Sequence, residues 1–93
     1  MIKGFRNKET ETLFRSNGRS RFPPDIVARA RRKLLLLDAA FKLADLMVPP
    51  SNRLELLDGN RQGQHSIRIN DHWRICFVWD NGNAHEVEVC DYH

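Results

Sequence analysis

Cysteine is scarce in this chain of 93 residues, which has only Cys76 and Cys90. Both fall in runs that read as strands, so a reduced, buried pair of the cytosolic kind is expected. A zinc site needs more ligands at better spacing. Long apolar stretches are missing too. The first residues carry charge at Lys3, Arg6 and Lys8, so neither a secretory leader nor a membrane-spanning helix is expected. The sequence has no internal repeat, linker or low-complexity tract. It also lacks a phosphate-binding P-loop and a dinucleotide fingerprint. What remains is a single domain over residues 1–93 with one modest core.

Charge is modest in sum but uneven in place. Fifteen Lys and Arg stand against 12 Asp and Glu, a formal net charge of +3. Residues 1–46 hold 11 basic and 5 acidic side chains, and residues 47–93 hold 4 and 7. A basic front half suits a polyanion or an acidic protein partner, and also an ordinary solvated surface.

Helical spacing dominates that front half. Met1 to Phe5 reads as a short edge strand, and Lys8 to Arg15 as a short helix stopped by Asn17-Gly18. Pro23-Pro24-Asp25 opens a second helix, because proline is tolerated in the first turn and an acid favours the helix N-terminus. Ala30, Leu34, Leu37, Phe41 and Ala44 recur at three- and four-residue spacing. They predict a core-facing stripe on a helix from Pro24 to about Ala44. Leu35 and Leu36 widen the apolar surface, leaving room for the first helix or another protein on a second side.

After Met47 to Pro50 the period changes to strands. Ile67 and Ile69 alternate with Arg68 and Asn70. Trp73, Ile75, Phe77 and Trp79 alternate with Arg74, Cys76 and Val78, a central strand with apolar character on nearly both faces. Asp80-Asn81-Gly82-Asn83 supplies an Asn-Gly hairpin turn, and His85 to Asp91 returns antiparallel. The fold class is therefore α+β, two N-terminal helices packed on a small, mostly antiparallel twisted sheet.

The chain closes on Asp91-Tyr92-His93, directly after a strand-like run. A paired last strand would hold a carboxylate, a phenol and an imidazole beside the arginines of neighbouring strands. Cutting RNA requires the 2′-hydroxyl to lose a proton, cations to meet the phosphorane charge, and a proton for the leaving 5′-oxygen. His93 is the candidate for proton transfer, since imidazole titrates near neutral pH. Asp91 can orient an imidazole, assist proton transfer or position the 2′-hydroxyl. Tyr92 can stack on a base or hydrogen-bond phosphate. Arg68 and Arg74 share parity about an Asn70-Asp71 turn, and a guanidinium fork matches phosphate oxygens. The chemistry requires no metal, and no cofactor is expected. The loop Asp58-Gly59-Asn60-Arg61-Gln62-Gly63-Gln64-His65 adds Arg61, Asn60 and His65 as candidates for RNA or phosphate binding. His65 reads equally well as a strand-start histidine. Trp73 and Trp79 read as packing residues, and His72 and His85 as structural or exposed.

These residues also carry a resemblance. The chain resembles the HigB-type toxins of bacterial toxin–antitoxin systems, within the RelE/ParE superfamily and the plasmid maintenance killer protein family. Its look is close to the GraT-like branch, in which the toxin is mild. The similarity runs through Met1-Ile2-Lys3-Gly4-Phe5, Leu34 to Asp45 and Asn52-Arg53-Leu54. It is strongest over Gly59 to Asn70, Trp73-Arg74-Ile75-Cys76-Phe77 and Asp91-Tyr92-His93. It implies a RelE-like toxin fold and a ribosome-dependent endoribonuclease that cuts translated message in the A site. It also implies a cytoplasmic location and a HigA-type helix-turn-helix antitoxin, through which alone operator DNA would be touched. Catalysis in the family maps onto Arg74, Asp91, Tyr92 and His93. Where ribonuclease members have a lysine before the loop glycine, this chain has Asp58, which repels phosphate. The departure implies weaker catalysis or a share of the role for Arg61. Two other readings compete: a non-nucleolytic toxin that binds a protein such as DNA gyrase, and a ribosome-associated regulatory protein docking through its basic first half.

Overall fold

The two periodicities resolve into an α+β fold in the computed structural model, which describes residues 1–16 and 20–91. Helix α1 spans Lys8–Arg15, the bounds its sequence predicts. Asn7 starts it, its side-chain oxygen accepting from the Thr10 amide at 2.9 Å. That bond satisfies one of the amides a helix N-terminus leaves unpaired. The stop expected at Asn17-Gly18 lies outside the described residues.

Helix α2 spans Pro24–Ala39 and stops short of the predicted Ala44. The cause is local. Asp45 accepts from the backbone amides of Phe41 at 2.9 Å and Lys42 at 3.1 Å, and so caps a separate 3-10 turn at Leu43–Met47. Donation from Lys42 and then Phe41 holds the Asp45 carboxyl below its ordinary range. Two predicted stripe residues consequently leave the core: Phe41 is 88% exposed and Ala44 is exposed. Fully buried Leu46 joins the core instead, while Ala30, Leu34 and Leu37 stay buried as expected. Leu35 faces solvent, whereas Leu36 packs partly against the core.

Strands β1 (Glu55–Leu56), β2 (His65–Arg68), β3 (Trp73–Asp80) and β4 (Asn83–Asp91) form one sheet in chain order. Every pairing between them is antiparallel. The N-terminal segment makes two isolated parallel bridges, Ile2 with Ala84 and Phe5 with Val87, instead of a full strand. It still covers the outer edge of β4, which would otherwise expose unpaired amides. Where those bridges end, α1 takes over. The buried Thr10 hydroxyl accepts from the Val89 amide at 3.0 Å.

The β3–β4 turn has φ 52° at Asn81 and 81° at Gly82, the left-handed pair that a type I′ hairpin requires. A Cβ on Gly82 would also come within 3.3 Å of the Phe41 carbonyl. Further along, Cys76 pairs with Glu88 but Val78 pairs with His85. The extra β4 residue makes a bulge, with φ 50° at Glu86, and resets the alternation. Ala84, Val87 and Val89 can then all be buried. Ile67, Ile75, Phe77 and Val89 meet Leu13, Ile26, Ala30, Leu34 and Leu37 in the core. The other sheet face is left for polar chemistry.

Candidate active site

Ser66, Arg68, Arg74, Cys76, Glu88 and Cys90 share that second face, because Arg68 pairs with Arg74, Arg74 with Cys90, Ser66 with Cys76 and Cys76 with Glu88. Two guanidinium side chains therefore stand directly opposite one another on β2 and β3, as the parity about Asn70-Asp71 predicts. Like charges at one rung oppose folding. Each is countered by a carboxylate. Arg68 pairs with Asp71, and Arg74 lies 3.9 Å from Glu55.

Arg74 is the better held of the two. It is 8% exposed, donates from Nε to the Ser66 hydroxyl at 2.8 Å and from Nη2 to the Arg53 carbonyl at 2.7 Å. Arg53 itself adopts the left-handed region, φ 45°, a conformation that costs energy for a side chain and is often found at functional sites. With Glu55, Asn70 and Asp71, these three arginines line a cleft of about 260 Å³. Asn70 shapes its rim by accepting from the amides of His72 at 2.9 Å and Trp73 at 2.8 Å. Sequence reasoning gave Arg53, Glu55 and Asp71 no role in this site. In the sequence Arg53 stands out only through the family resemblance, and Asp71 only through the hairpin turn. A roomier hollow of about 530 Å³, lined by Lys8, Glu9, Thr12, Ser20 and Arg21, shares none of these residues.

The loop candidates divide. Arg61 is brought onto the arginine face, where Nη1 donates to Glu88 at 3.0 Å and to Gln64 at 3.2 Å. The Glu88 carboxylate raises the pKa of Arg61 above its ordinary value. Its charge is thus already matched within the protein. Asn60 is exposed on the Gly59–Arg61 turn that Asp58 begins. His65 goes to the other face. It pairs with Phe77 across the rung and stacks on that ring at 6.1 Å, while its Nδ1 is buried without a hydrogen-bond partner among the described residues. Burial lowers the His65 pKa. The structure therefore does not bring His65 to Arg68 and Arg74.

Asp91 pairs with Trp73. Its strand position has the parity of Trp73, not that of Arg74, and differs from the expectation of a tail sharing the arginine face. Tyr92 and His93 lie outside the described residues. Trp73 packs edge-on to Phe22 at 5.7 Å and Trp79 to Phe77 at 6.3 Å, as packing residues should. Cys76 and Cys90 are free thiols with sulfurs 2.9 Å apart. Hydrogen bonding to Cys90 lowers the Cys76 pKa, and the same contact raises that of Cys90. No group of three or more His, Cys, Asp or Glu could hold a metal among the described residues. Chemically, the site sets two guanidinium groups at one rung beside a polar cleft.

Comparison with known proteins gives the family and the fold. Residues 3–93 match the family described as HigB-like toxin, the RelE-like toxin of the type II toxin–antitoxin system HigB. The chain is similar to Toxin HigB-1 of Vibrio cholerae serotype O1, 42% identical over 85 residues that cover 90% of each chain. It is also similar to Endoribonuclease HigB of Proteus vulgaris, 34% identical over 93 residues and the full length of both. In fold it resembles a chain of the YoeB-YefM complex from Staphylococcus aureus. That match has a TM-score of 0.60 at 20% identity and covers 100% of this chain and 98% of the other.

Proposed function

The chain belongs to the HigB-like family of RelE-like toxins in type II toxin–antitoxin systems, and from that premise we propose that it is an endoribonuclease cutting translated message in the ribosomal A site. In this reading the 2′-hydroxyl attacks the adjacent phosphorus. Arg68 and Arg74 hold the non-bridging oxygens as negative charge builds, a stabilisation whose loss costs roughly 10²–10³ in rate. His93 transfers the proton, Asp91 orients or assists it, and Tyr92 stacks on a base or bonds phosphate. Arg61 and Asn60 contact the strand from the loop. The one observation that carries the reading is the Arg68–Arg74 rung beside a cleft. Arranging like charges opposite one another is unfavourable, and the carboxylates that offset it, Asp71 and Glu55, are themselves largely exposed to solvent, which leaves the rung suited to an additional anion.

As a toxin of such a system the protein has an antitoxin partner. The proposal extends to a helix-turn-helix antitoxin of HigA type, to a ribosome carrying message as target, and to operator DNA reached only through the antitoxin. It also extends to the cytoplasm as location. No helix among the described residues is long and apolar enough to cross a membrane.

One observation favours a second reading, a toxin that binds a protein such as DNA gyrase without cutting RNA. Asp58 is exposed at the loop, and the loop cation Arg61 is occupied by Glu88, so the loop adds no free positive charge at that point. Mapping of RNA 5′ ends during induced expression separates the two. The nuclease reading expects new ends within translated messages for the wild type and far fewer for His93→Ala and Arg68→Ala. Growth arrest with no new ends, accompanied by DNA-damage signalling, would establish the second reading.

A further inference from the structure

Two sulfurs stand on the arginine face without a part in the chemistry above. Cys76 and Cys90 are both free thiols, 14 positions apart in the chain and 2.9 Å apart in space. Their strand positions are diagonal, since Cys76 pairs with Glu88 and Arg74 with Cys90. Diagonal neighbours on adjacent strands are ordinarily too distant to be bridged. Twist shortens one diagonal of a ladder at the expense of the other, and the bulge beside Cys76 adds twist. A disulfide holds its sulfurs about 2.05 Å apart, so this pair has less than ~1 Å to close.

The surroundings are those of a reactive pair. Cys76 is fully buried, whereas Cys90 is half-buried and reaches the surface. Arg61 and Arg74 bring positive charge to the sulfurs, and Glu88 brings negative charge. The hydrogen bond from Cys90, then Arg61 and Arg74, pulls the Cys76 pKa down against burial and Glu88. The same bond, with burial, pushes the Cys90 pKa up. Reactive cysteines occupy such electropositive, partly exposed places. Two sulfurs that share one proton pass it between them, so the thiolate reaches the exposed Cys90. Among the described residues no third ligand joins them to hold a metal. A cytosolic disulfide is ordinarily transient, catalytic or redox-sensing.

We propose that Cys76 and Cys90 form a redox-active dithiol that hydrogen peroxide converts into an intramolecular disulfide, stapling the end of β4 to β3. The Cys90 thiolate attacks one peroxide oxygen, the O–O bond breaks, and the departing hydroxide takes up the thiol proton as water. Cys90 is then a sulfenic acid. The Cys76 sulfur attacks the Cys90 sulfur, and the S–S bond forms as the S–O bond breaks. Hydroxide leaves with the Cys76 proton as a second water. Two electrons pass in total from the sulfurs to the peroxide. The staple falls one residue before Asp91, where β4 runs into the Asp91-Tyr92-His93 tail. It does not depend on the nuclease reading.

The test exposes reduced wild-type protein to a small molar excess of hydrogen peroxide, removes the excess with catalase, and alkylates the product in denaturant. Wild type is expected to lose both alkylatable thiols together and the mass of two hydrogens. Digestion should give one linked pair of peptides carrying Cys76 and Cys90, and dithiothreitol should restore both thiols. Cys76→Ala removes the resolving sulfur, so Cys90 should persist as a sulfenic acid that dimedone traps. Cys90→Ala removes the exposed sulfur, and buried Cys76 should stay reduced at the same dose. Oxidised wild type should also melt above the reduced form, because the staple closes a loop over residues 76–90 and restricts the unfolded chain. Wild type that keeps both thiols, or loses Cys90 alone to sulfinic acid, would overturn the site. So would bridges found only between molecules. An oxidised form melting no higher than the reduced one would overturn the staple. The wild-type readouts decide the matter even where a variant fails to fold.

Discussion

Replacing Arg74 with alanine asks whether this cation holds the fold as well as the site. The side chain is 8% exposed and donates to the Ser66 hydroxyl and the Arg53 carbonyl at 2.8 and 2.7 Å. Alanine leaves both acceptors without that donor. A hydrogen bond from a charged group contributes about 1.5–3 kcal/mol. The contact with half-exposed Glu55 adds at most ~1 kcal/mol, and relief of repulsion from Arg68 returns up to ~1 kcal/mol. The expected net loss is about 3–6 kcal/mol, set against a total stability of about 5–15 kcal/mol for an ordinary domain. At about 4–8 °C per kcal/mol, the melting temperature should fall by at least ~10 °C and by up to roughly 50 °C. Arg68→Ala is the contrast, for its partner Asp71 is 82% exposed and the arginine side chain 29% exposed. That variant should stay within about 0.5 kcal/mol of wild type. Thermal unfolding followed by circular dichroism measures both. Arg74→Ala melting within a few degrees of wild type, or Arg68→Ala falling as far as Arg74→Ala, would refute the division of labour.

Other sites give sharper checks on the fold. Thr10→Val removes the acceptor of the buried Val89 amide and should cost about 1–3 kcal/mol by denaturant titration, whereas Thr10→Ser should recover most of it. Gly82→Ala forces a side chain into φ 81° and toward the Phe41 carbonyl; chemical denaturation should show a loss of about 1–2 kcal/mol. His65 has its pKa lowered by burial, so the unfolded chain binds its proton more readily. Its effect on stability is nil well above the ordinary value of 6.5 and becomes a penalty as pH falls through that value toward the folded pKa. Calorimetry should show a slope of stability against pH in that window that His65→Gln flattens.

How far the sequence reaches depends on the range of the interaction. Local signals resolve well: the α1 bounds at Lys8 and Arg15, the Asn81-Gly82 turn, and the shared parity of Arg68 and Arg74 across a short hairpin. The α2 end is not legible because Phe41 and Ala44 keep the helical period while Asp45 captures the amides of Phe41 and Lys42. An apolar count cannot register that capping competition. The β4 bulge escaped because Glu86 carries none of the glycine that usually marks a left-handed residue. Contacts distant along the chain were not legible either. Nothing near Arg61 announces Glu88, and nothing near Thr10 announces Val89. His65 and Asp91 share the consequence of strand register, a step of one residue that moves a side chain to the opposite face.

Single-turnover cleavage of message on programmed ribosomes tests the central claim most directly, with Arg68→Ala compared to wild type after both are shown to melt alike. The account predicts 2′,3′-cyclic phosphate ends from the wild type and a rate lower by about 10²–10³ in the variant. Cleavage by Arg68→Ala at the wild-type rate would contradict the assignment of the β2–β3 arginine rung as the phosphate site.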